Sequence, residues 1–494
     1  MIESRKVEPT AFASMIATRT FFPAKYIAQA REELSDVLKK TGNRLLDFPA
    51  GETKTGAIET TQDGEKYARW FDEHRKEIGG VILTMPNFGD ERGAVAALRD
   101  ANVPIYIQTQ PDEIGKMSPA DRRDGFCGRV SITDNFWKYG IKFTVLEPHV
   151  LALKDSRFQS RIKYFDTVCR VANGMERFRV GAIGGRTSAF KTVRIDEDAL
   201  ERAGISMETY DLLDVYMRMK AIKGDDKALK EKTDFLQDYA TWCEASKKAL
   251  PNIARLGVIL DQIIEENGLD AIALRCWDEF QKYEELNFSP CVLLSDYNNR
   301  GVPAACEVDV GNAIAMHALR LASKNAAACL DWNNNYREDA NKTILFHCGP
   351  VPQEMMTEKG WIQEHSIIKN AIGRDGCGYG CNQGSIKPGD MVFASSRTAD
   401  GKLQFYIGTG KFTEDPIEKE FFGCAGVAEI PELQKVLLHV CEEGHRHHTS
   451  ATHITEDTKT FVFKSAVANA IYEALTKYNG FDVRRPQLEE RKQF

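Results

Sequence analysis

The chain has 494 residues, 43% of them hydrophobic and 28% charged, which fits folded globular material and excludes both a largely disordered chain and a membrane bundle. Its 65 basic residues against 72 acidic ones leave a net charge of −7, so no global positive field attracts a polyanion, and nucleic acid is not an expected partner. At roughly 100 to 200 residues per domain, the length suggests about three domains, each able to bury its own core.

The amino terminus, MIESRKVEPT, carries charges with no apolar core behind them, and no later stretch reaches the roughly 18 continuous apolar residues of a membrane span. A cytoplasmic protein without a membrane partner is expected. From residue 10 to about 170, strand-like apolar runs alternate with amphipathic ones. In EIGGVILTMPNFGD, Val81 to Thr84 reads as a buried strand before a polar loop; ERGAVAALRDANVPIYIQTQP then gives a helix, a turn and a strand from Ile105 to Thr109. This βαβ order implies a parallel sheet covered by helices, whose carboxyl-end edge would carry Asn87, Asp90, Glu91 and Gln108.

A second α/β unit begins at RFRVGAIGGRTSAF, with Phe178 to Ile183 as a strand. The motif G-x-G-x-x-G is absent, so the glycine pair there does not read as a dinucleotide site. A long charged helical region, about 207 to 266, precedes the strand GLDAIALRCW, which ends at Trp277. In CVLLSDYNNRGVPAACEVDVGNAIAMHALRLAS a further strand ends in a polar loop that opens a helix. After about residue 345 the segments TILFHCG, DMVFASSRT and LQFYIGTGKF are separated by KPGD and ADGK turns, which is antiparallel sheet or barrel composition. A last helix is expected around Thr460 to Tyr478. The expected class is α/β: two parallel-sheet, Rossmann-like domains over residues 1–175 and 176–345, then a β-rich, barrel-like domain over 346–494.

The twelve cysteines are scattered singly with no C-x-x-C pair, the usage of free thiols in a reducing compartment. Cys377 and Cys381, in GRDGCGYGCNQG, fit a zinc pair loosely, but no second pair follows at finger spacing.

Residues 440 to 453, VCEEGHRHHTSATH, hold four of the ten histidines: His445, His447, His448 and His453. Such a run is either a solvated turn or a set of ligands, and ligands need carboxylates from elsewhere. Glu307, in AACEVDVGNA, stands at a helix start, where an acid also complements the helix dipole; Asp309 suits that duty equally. Asp331 follows the apolar pair Cys329 and Leu330 and also reads as a turn aspartate. His347 ends the strand in ILFHCGP, where a buried core histidine is the competing reading.

In chain order, GVPAACEVDVGNA, an acid some two dozen residues on, FHCG, and HHT with another histidine five residues beyond resemble the L-fucose and L-arabinose isomerase family. The segments MPNFGDERGAV and VGAIGGRTSAFKTVRIDEDALERAGISMETYDLLDV are similar to that family as well, so the resemblance spans nearly the whole chain. It implies a manganese-dependent aldose–ketose isomerase of two α/β domains and a β-rich third, with magnesium or cobalt as alternative ions. By motif it implies Glu307 and Asp331 as carboxylate ligands, His448 as the imidazole ligand, and His347 as a further ligand used in the arabinose branch. Asp331 looks like the fucose branch and HHT like the arabinose branch, so the sugar stays open. The resemblance also implies a homo-oligomer with sites near subunit boundaries, where Arg19 or Phe88 would act on a neighbour's site.

The chemistry has its own logic. Moving a carbonyl between C1 and C2 removes a proton from the carbon beside it, so the developing enediolate charge needs stabilisation, which a divalent ion held by two carboxylates and one imidazole supplies. Oxygen-rich ligation suits manganese or magnesium; four thiolates would suit zinc. Glu307 and Asp331 would then face each other across the sugar as the acid–base pair. Sugar contacts are expected from Arg19 in ATRTFFP, Trp277, Trp332, Tyr379 and His447. Two other classes share these features, a sugar-binding protein and a metal-dependent hydrolase; exchange of the C2 proton into deuterated solvent separates an isomerase from both.

Overall fold

A computed structural model describes residues 1–455 and 464–489. The first four residues of the expected terminal helix, 460–463, lie outside the described residues. The chain forms two compact units, one of Glu8–Asn173 and one of Met1–Val7 with Gly174 onward. The class is mixed α/β, with two parallel sheets and one large mixed sheet.

In the Glu8–Asn173 unit, strands β1 (Phe12–Ile16), β2 (Leu45–Asp47), β3 (Gly80–Met85) and β4 (Ile105–Thr109) form a parallel sheet in the order β2-β1-β3-β4. Every residue of β1, β3 and β4 is buried, as continuous apolar strands are when helices cover both faces. The polar residues at the sheet's carboxyl edge serve the fold. Asn87 donates to Thr18 Oγ1 at 2.8 Å, Gln108 donates to the carbonyl of Leu151 at 2.8 Å, and Asp90 caps the Glu91–Leu98 helix.

The second unit contains β5 (Arg179–Ile183), β6 (Ser206–Tyr210), β8 (Ala271–Leu274) and β9 (Ala304–Cys306), parallel and ordered β6-β5-β8-β9. The stretch expected to be helical from 207 to 266 is interrupted. Strand β6 enters it, and Asp211 and Asp226 each cap a new helix, Leu212–Ala221 and Lys227–Tyr239, before the two-residue strand β7 (Thr241–Trp242) and the Leu250–Asn267 helix. Aspartate side chains that accept a main-chain N–H restart helices where periodicity alone reads as continuous.

The large sheet adds β10 (Ala327–Asn335), β11 (Lys342–His347), β12 (Trp361–Gln363), β13 (Cys381–Ser385), β14 (Gly389–Ala399), β15 (Lys402–Phe412), β16 (Cys424–Glu429), β17 (His448–His453) and β18 (Asp482–Arg484). Its order is β18-β15-β14-β17-β10-β11-β16-β13-β12-β7, with a further pairing of β15 to β16 at Lys411–Glu429 and Phe412–Ala428. That pairing closes six antiparallel strands, β15-β14-β17-β10-β11-β16, into a ring. Leu330, Leu345, Phe393, Tyr406, Phe412 and Ala451 belong to one buried apolar cluster on its strands. The Val310–Ser323 helix touches β14, β17 and β10 of the ring and β8 and β9 of the parallel sheet, and is buried around nearly its whole circumference. Alanines and glycine along it, in VGNAIAMHALRLAS, permit that close approach on all sides.

Candidate metal centre and active site

The histidine run is a loop only as far as His447. His448 to His453 form β17, all six residues are buried, and the strand lies between β10 and β14. Asp331, expected in a turn, is the fifth residue of β10 and pairs directly with His448, so both side chains leave the same face of the sheet. Glu307 approaches from the parallel sheet. It stands between β9 and the Val310–Ser323 helix with φ of 62°, and Val308 follows with φ of 59°. Left-handed backbone at a glutamate and a β-branched valine costs of order 1–3 kcal/mol at each, and it turns the Glu307 carboxylate toward the ring.

The three side chains converge. His448 Nε2 lies 3.3 Å from Asp331 Oδ1 and 3.6 Å from Glu307 Oε2; His447 Nε2 lies 3.6 Å from each of the same two oxygens. Glu307 Oε2, Asp331 Oδ1, His448 Nε2 and His347 Nε2 are all buried with no hydrogen-bond partner among the described residues. Buried polar atoms are ordinarily paired, so the meeting of three of these orphans, Glu307 Oε2, Asp331 Oδ1 and His448 Nε2, indicates a missing ligand. An ion about 2.1 Å from each donor would space them by roughly 3.0 to 3.4 Å, close to the separations seen. Two carboxylate oxygens and imidazole nitrogen form a donor set suited to a divalent ion such as manganese or magnesium.

Behind His448 stands a second layer. Its Nδ1 lies 2.7 Å from Asp309 Oδ2, which fixes the proton on Nδ1 and directs the Nε2 lone pair at the two carboxylates. Asp309 also accepts from Arg446, a fully buried arginine, and from the main-chain and side-chain nitrogens of Asn312. Burial opposes ionisation of Asp309, but Arg446, His448 and Asn312 outweigh it and hold the carboxyl well below its usual range. Burial likewise raises Asp331, and the surrounding His448, His347 and His447 lower it by more, so it too stays ionised. The other two histidines of the run serve the fold. His445 packs edge-on against Tyr406 at 4.7 Å and is pushed down to about 2 by burial. His453 Nε2 donates to the Lys387 carbonyl at 2.9 Å and is pushed down to about 4, again by burial.

His347 sits at the end of β11 with its ring 5.3 Å from that of His448. An aromatic wall runs outward from the cluster: His447 stacks on Phe190 at 5.7 Å, Phe190 meets Trp277 edge-on at 4.9 Å, and Trp277 faces His365 at 6.4 Å. Phe190 was not legible as a site residue, because nothing in KT or AF around it distinguishes it from a core aromatic. Trp332 points away. It alternates with Asp331 along β10, donates its indole N–H to Tyr406 at 3.1 Å and packs on Phe393. Tyr379 lies half-buried against the apolar core of the second unit, paired through its main chain with Phe288 and Ser289. Arg19 belongs to the Glu8–Asn173 unit, where it bonds to Glu91 and lies 4.1 Å over the Phe88 ring.

The family model described as fucose/sulfoquinovose isomerase, N-terminal domain, matches residues 14–176, and that described as L-fucose isomerase, C-terminal domain, matches residues 345–472. His347, His447 and His448 fall within the second span; Glu307 and Asp331 lie between the two. A sulfoquinovose isomerase of Alkalicoccus urumqiensis is 25% identical over 425 residues, covering 85% of this chain and 91% of its own. Sulfoquinovose isomerases of Priestia aryabhattai and Clostridium sp. (strain MSTE9) are 23% and 22% identical over 266 and 273 residues, or 53% and 54% of this chain. The match spans only 57% and 58% of the length of those two relatives. With both terminal regions matched to one enzyme family and the carboxylates between them meeting the matched histidines at one point, the chain belongs to the L-fucose isomerase family.

Proposed function

We propose that the protein is a metal-dependent aldose–ketose isomerase acting on a sugar through an enediolate, with Glu307, Asp331 and His448 as ligands of a divalent ion, manganese in the first instance. The observation that carries this reading is the meeting of three buried donor atoms without hydrogen-bond partners, from two paired strands of the large sheet and the loop after β9. When bound, the ion supplies Lewis-acid stabilisation of the negative charge that develops as the proton leaves carbon.

The chain's own groups do the rest. Glu307 and Asp331 take and return the proton between C1, C2 and their oxygens, a contribution of about 10² to 10⁴ in rate. His447, half-exposed and stacked on Phe190, reaches toward the sugar hydroxyls, and Phe190 with Trp277 offers the apolar face. His347 Nδ1 accepts the Cys348 main-chain N–H at 2.8 Å, so the neutral ring carries its proton on Nε2. This favours a hydrogen-bond donor to substrate oxygen at His347 over the ligand role suggested by the resemblance. Arg19 and Tyr379 stay proposed sugar contacts, Arg19 through a neighbouring copy in a homo-oligomer.

Free thiols at all twelve cysteines fit a reducing cytoplasm, and among the described residues no helix is long and apolar enough to cross a membrane. The names of the relatives make sulfoquinovose the first sugar to test, beside L-fucose and L-arabinose. Metal-stripped protein with manganese restored should form ketose from one of them and exchange the C2 proton with deuterated solvent. Hydrolysis products, or sugar binding with no exchange for any of the three, would overturn the reading.

A further inference from the structure

The resemblance singles out one imidazole of the histidine run, His448, but the geometry offers two at nearly equal reach. His447 is the last residue before β17, and its carbonyl accepts the main-chain N–H of Trp332 at 3.0 Å, so the ladder between β10 and β17 runs one step past the strand. Its ring lies between that of Phe190, at 5.7 Å, and that of His448, at 4.0 Å. From there Nε2 stands 3.6 Å from Glu307 Oε2 and 3.6 Å from Asp331 Oδ1. His448 Nε2 stands 3.6 and 3.3 Å from the same two atoms. A carboxylate oxygen of Glu307 and a ring nitrogen from each of the two histidines all fall within 4.8 Å of one another.

We propose that His447 Nε2 is a second imidazole ligand of the divalent ion in the sugar-free protein, which gives the centre two imidazoles and two carboxylates. This inference rests on the metal-centre reading above and adds a ligand to it. At 3.6 Å a nitrogen and a carboxylate oxygen do not share a hydrogen bond, so a proton on Nε2 does not account for a ring poised equally between two carboxylates. One cation about 2.1 Å from each donor would draw all four together after shifts of a few tenths of an ångström. The two imidazoles are held differently. His448 is fully buried and anchored through Nδ1 to Asp309, whereas the His447 side chain is 36% exposed and its Nδ1 has no hydrogen-bond partner among the described residues. His447 is therefore the less firmly held ligand and the one nearest solvent. Its nitrogen also bears on the choice of ion: carboxylates alone suit magnesium, while each added imidazole favours nickel and cobalt.

The test strips the full chain with chelator and reloads it with manganese alone. Pulsed electron paramagnetic resonance should show the nitrogen couplings of two imidazoles in the unaltered chain and of one in His447→Phe, which keeps a ring against Phe190 and removes the nitrogen. His447→Ala gives the same readout if the phenylalanine does not fit. Nickel affinity should fall at least about tenfold in both variants and magnesium affinity by less, since nickel gains more from the lost nitrogen. A single imidazole coupling in the unaltered chain, two couplings kept in both variants, or an unchanged preference for nickel over magnesium would overturn the inference and leave the centre standing. No manganese bound by the unaltered chain, or an affinity unchanged in Glu307→Gln, would overturn the centre itself and the inference with it.

Discussion

Asp331 on β10 and His448 on β17 face each other directly in an antiparallel register, with Leu330 opposite Thr449 and Cys329 opposite Ser450 in the preceding pairs. The pairing places the carboxylate and imidazole on one face while Leu330 and Ala451 pack into the ring's apolar cluster. A slip of one residue would send both groups to the wrong face and the apolar residues outward, so the packing of the ring itself holds the donor pair in place. Asp331→Asn and Glu307→Gln, which keep shape and lose charge, should each lower kcat by at least about 10²-fold. Manganese affinity should fall in both, with unchanged circular dichroism. Near-native turnover by either variant would remove it from the centre.

Asp309 never touches the point where the donors meet, yet it should matter. Its hydrogen bond to Nδ1 sets the tautomer that frees His448 Nε2. Asp309→Asn should weaken manganese binding by about 10- to 100-fold, read by titration with the electron paramagnetic resonance signal of free manganese. The same change leaves Arg446 buried beside a neutral partner, so thermal stability should fall as well. Metal affinity equal to that of the unaltered chain would show that His448 is oriented by packing alone.

If His448 is the proposed imidazole ligand, proton and metal compete for its Nε2. Burial disfavours the charged ring, but Cys329, the hydrogen bond to Asp309 at Nδ1 and the Asp331 carboxylate 3.3 Å from Nε2 more than offset this and hold the imidazolium well above its ordinary range. Without metal the ring is therefore protonated at neutral pH, and binding must displace the Nε2 proton. Manganese affinity should rise with pH through and above neutrality, with proton release detectable in weakly buffered solution. A metal affinity flat between pH 6 and 9 would contradict this. The sign for stability is opposite: a raised folded pKa stabilises the metal-free fold below the unfolded pKa of about 6.5, and that gain is lost as pH rises through the folded value.

Much of the fold was legible because its signals are local. The ADGK turn became the hairpin between β14 and β15, with φ of 51° at Asp400 and 69° at Gly401, the left-handed pair that Asp-Gly supplies. Strands Ile105–Thr109 and Arg179–Ile183 stand within a residue of their apolar runs. HTSATH was illegible as a buried strand because its polarity is satisfied far away in sequence. Ser450 donates to Asn312 Oδ1 at 2.8 Å across 138 positions, and Thr452 to the Ala326 carbonyl at 2.8 Å across 126. Motif order pointed to Glu307, Asp331 and His448, which the structure brings close together, whereas the hydrogen bond of Asp309 to His448 emerges only when β17 is placed against the Val310–Ser323 helix.

Trp332 offers a negative control. Its indole is committed to Tyr406 and Phe393 on the side of β10 opposite Asp331. Trp332→Phe should cost about 1 kcal/mol of stability for the lost hydrogen bond and leave KM for the sugar unchanged within twofold. A large rise in KM with normal stability would place the ring at the substrate after all.

Gly311 links packing to chemistry. A Cβ built there would lie 2.5 Å from both the main-chain oxygen of Ser396 on β14 and the Arg446 guanidinium carbon. The Ser396 oxygen moves only with its strand, and Arg446 moves only by leaving Asp309, the residue that orients His448. Gly311→Ala should therefore destabilise the fold by about 1–3 kcal/mol through overpacking. It should also loosen manganese binding if His448 is the proposed ligand, because the displacement runs through Arg446 and Asp309 to the His448 ring. Gly224→Ala, with nothing within 4 Å of its added carbon, is the matched control and should change neither quantity. Loss of stability with metal affinity intact would mean that the strain is relieved along β14, and that Arg446 and Asp309 keep their grip on His448.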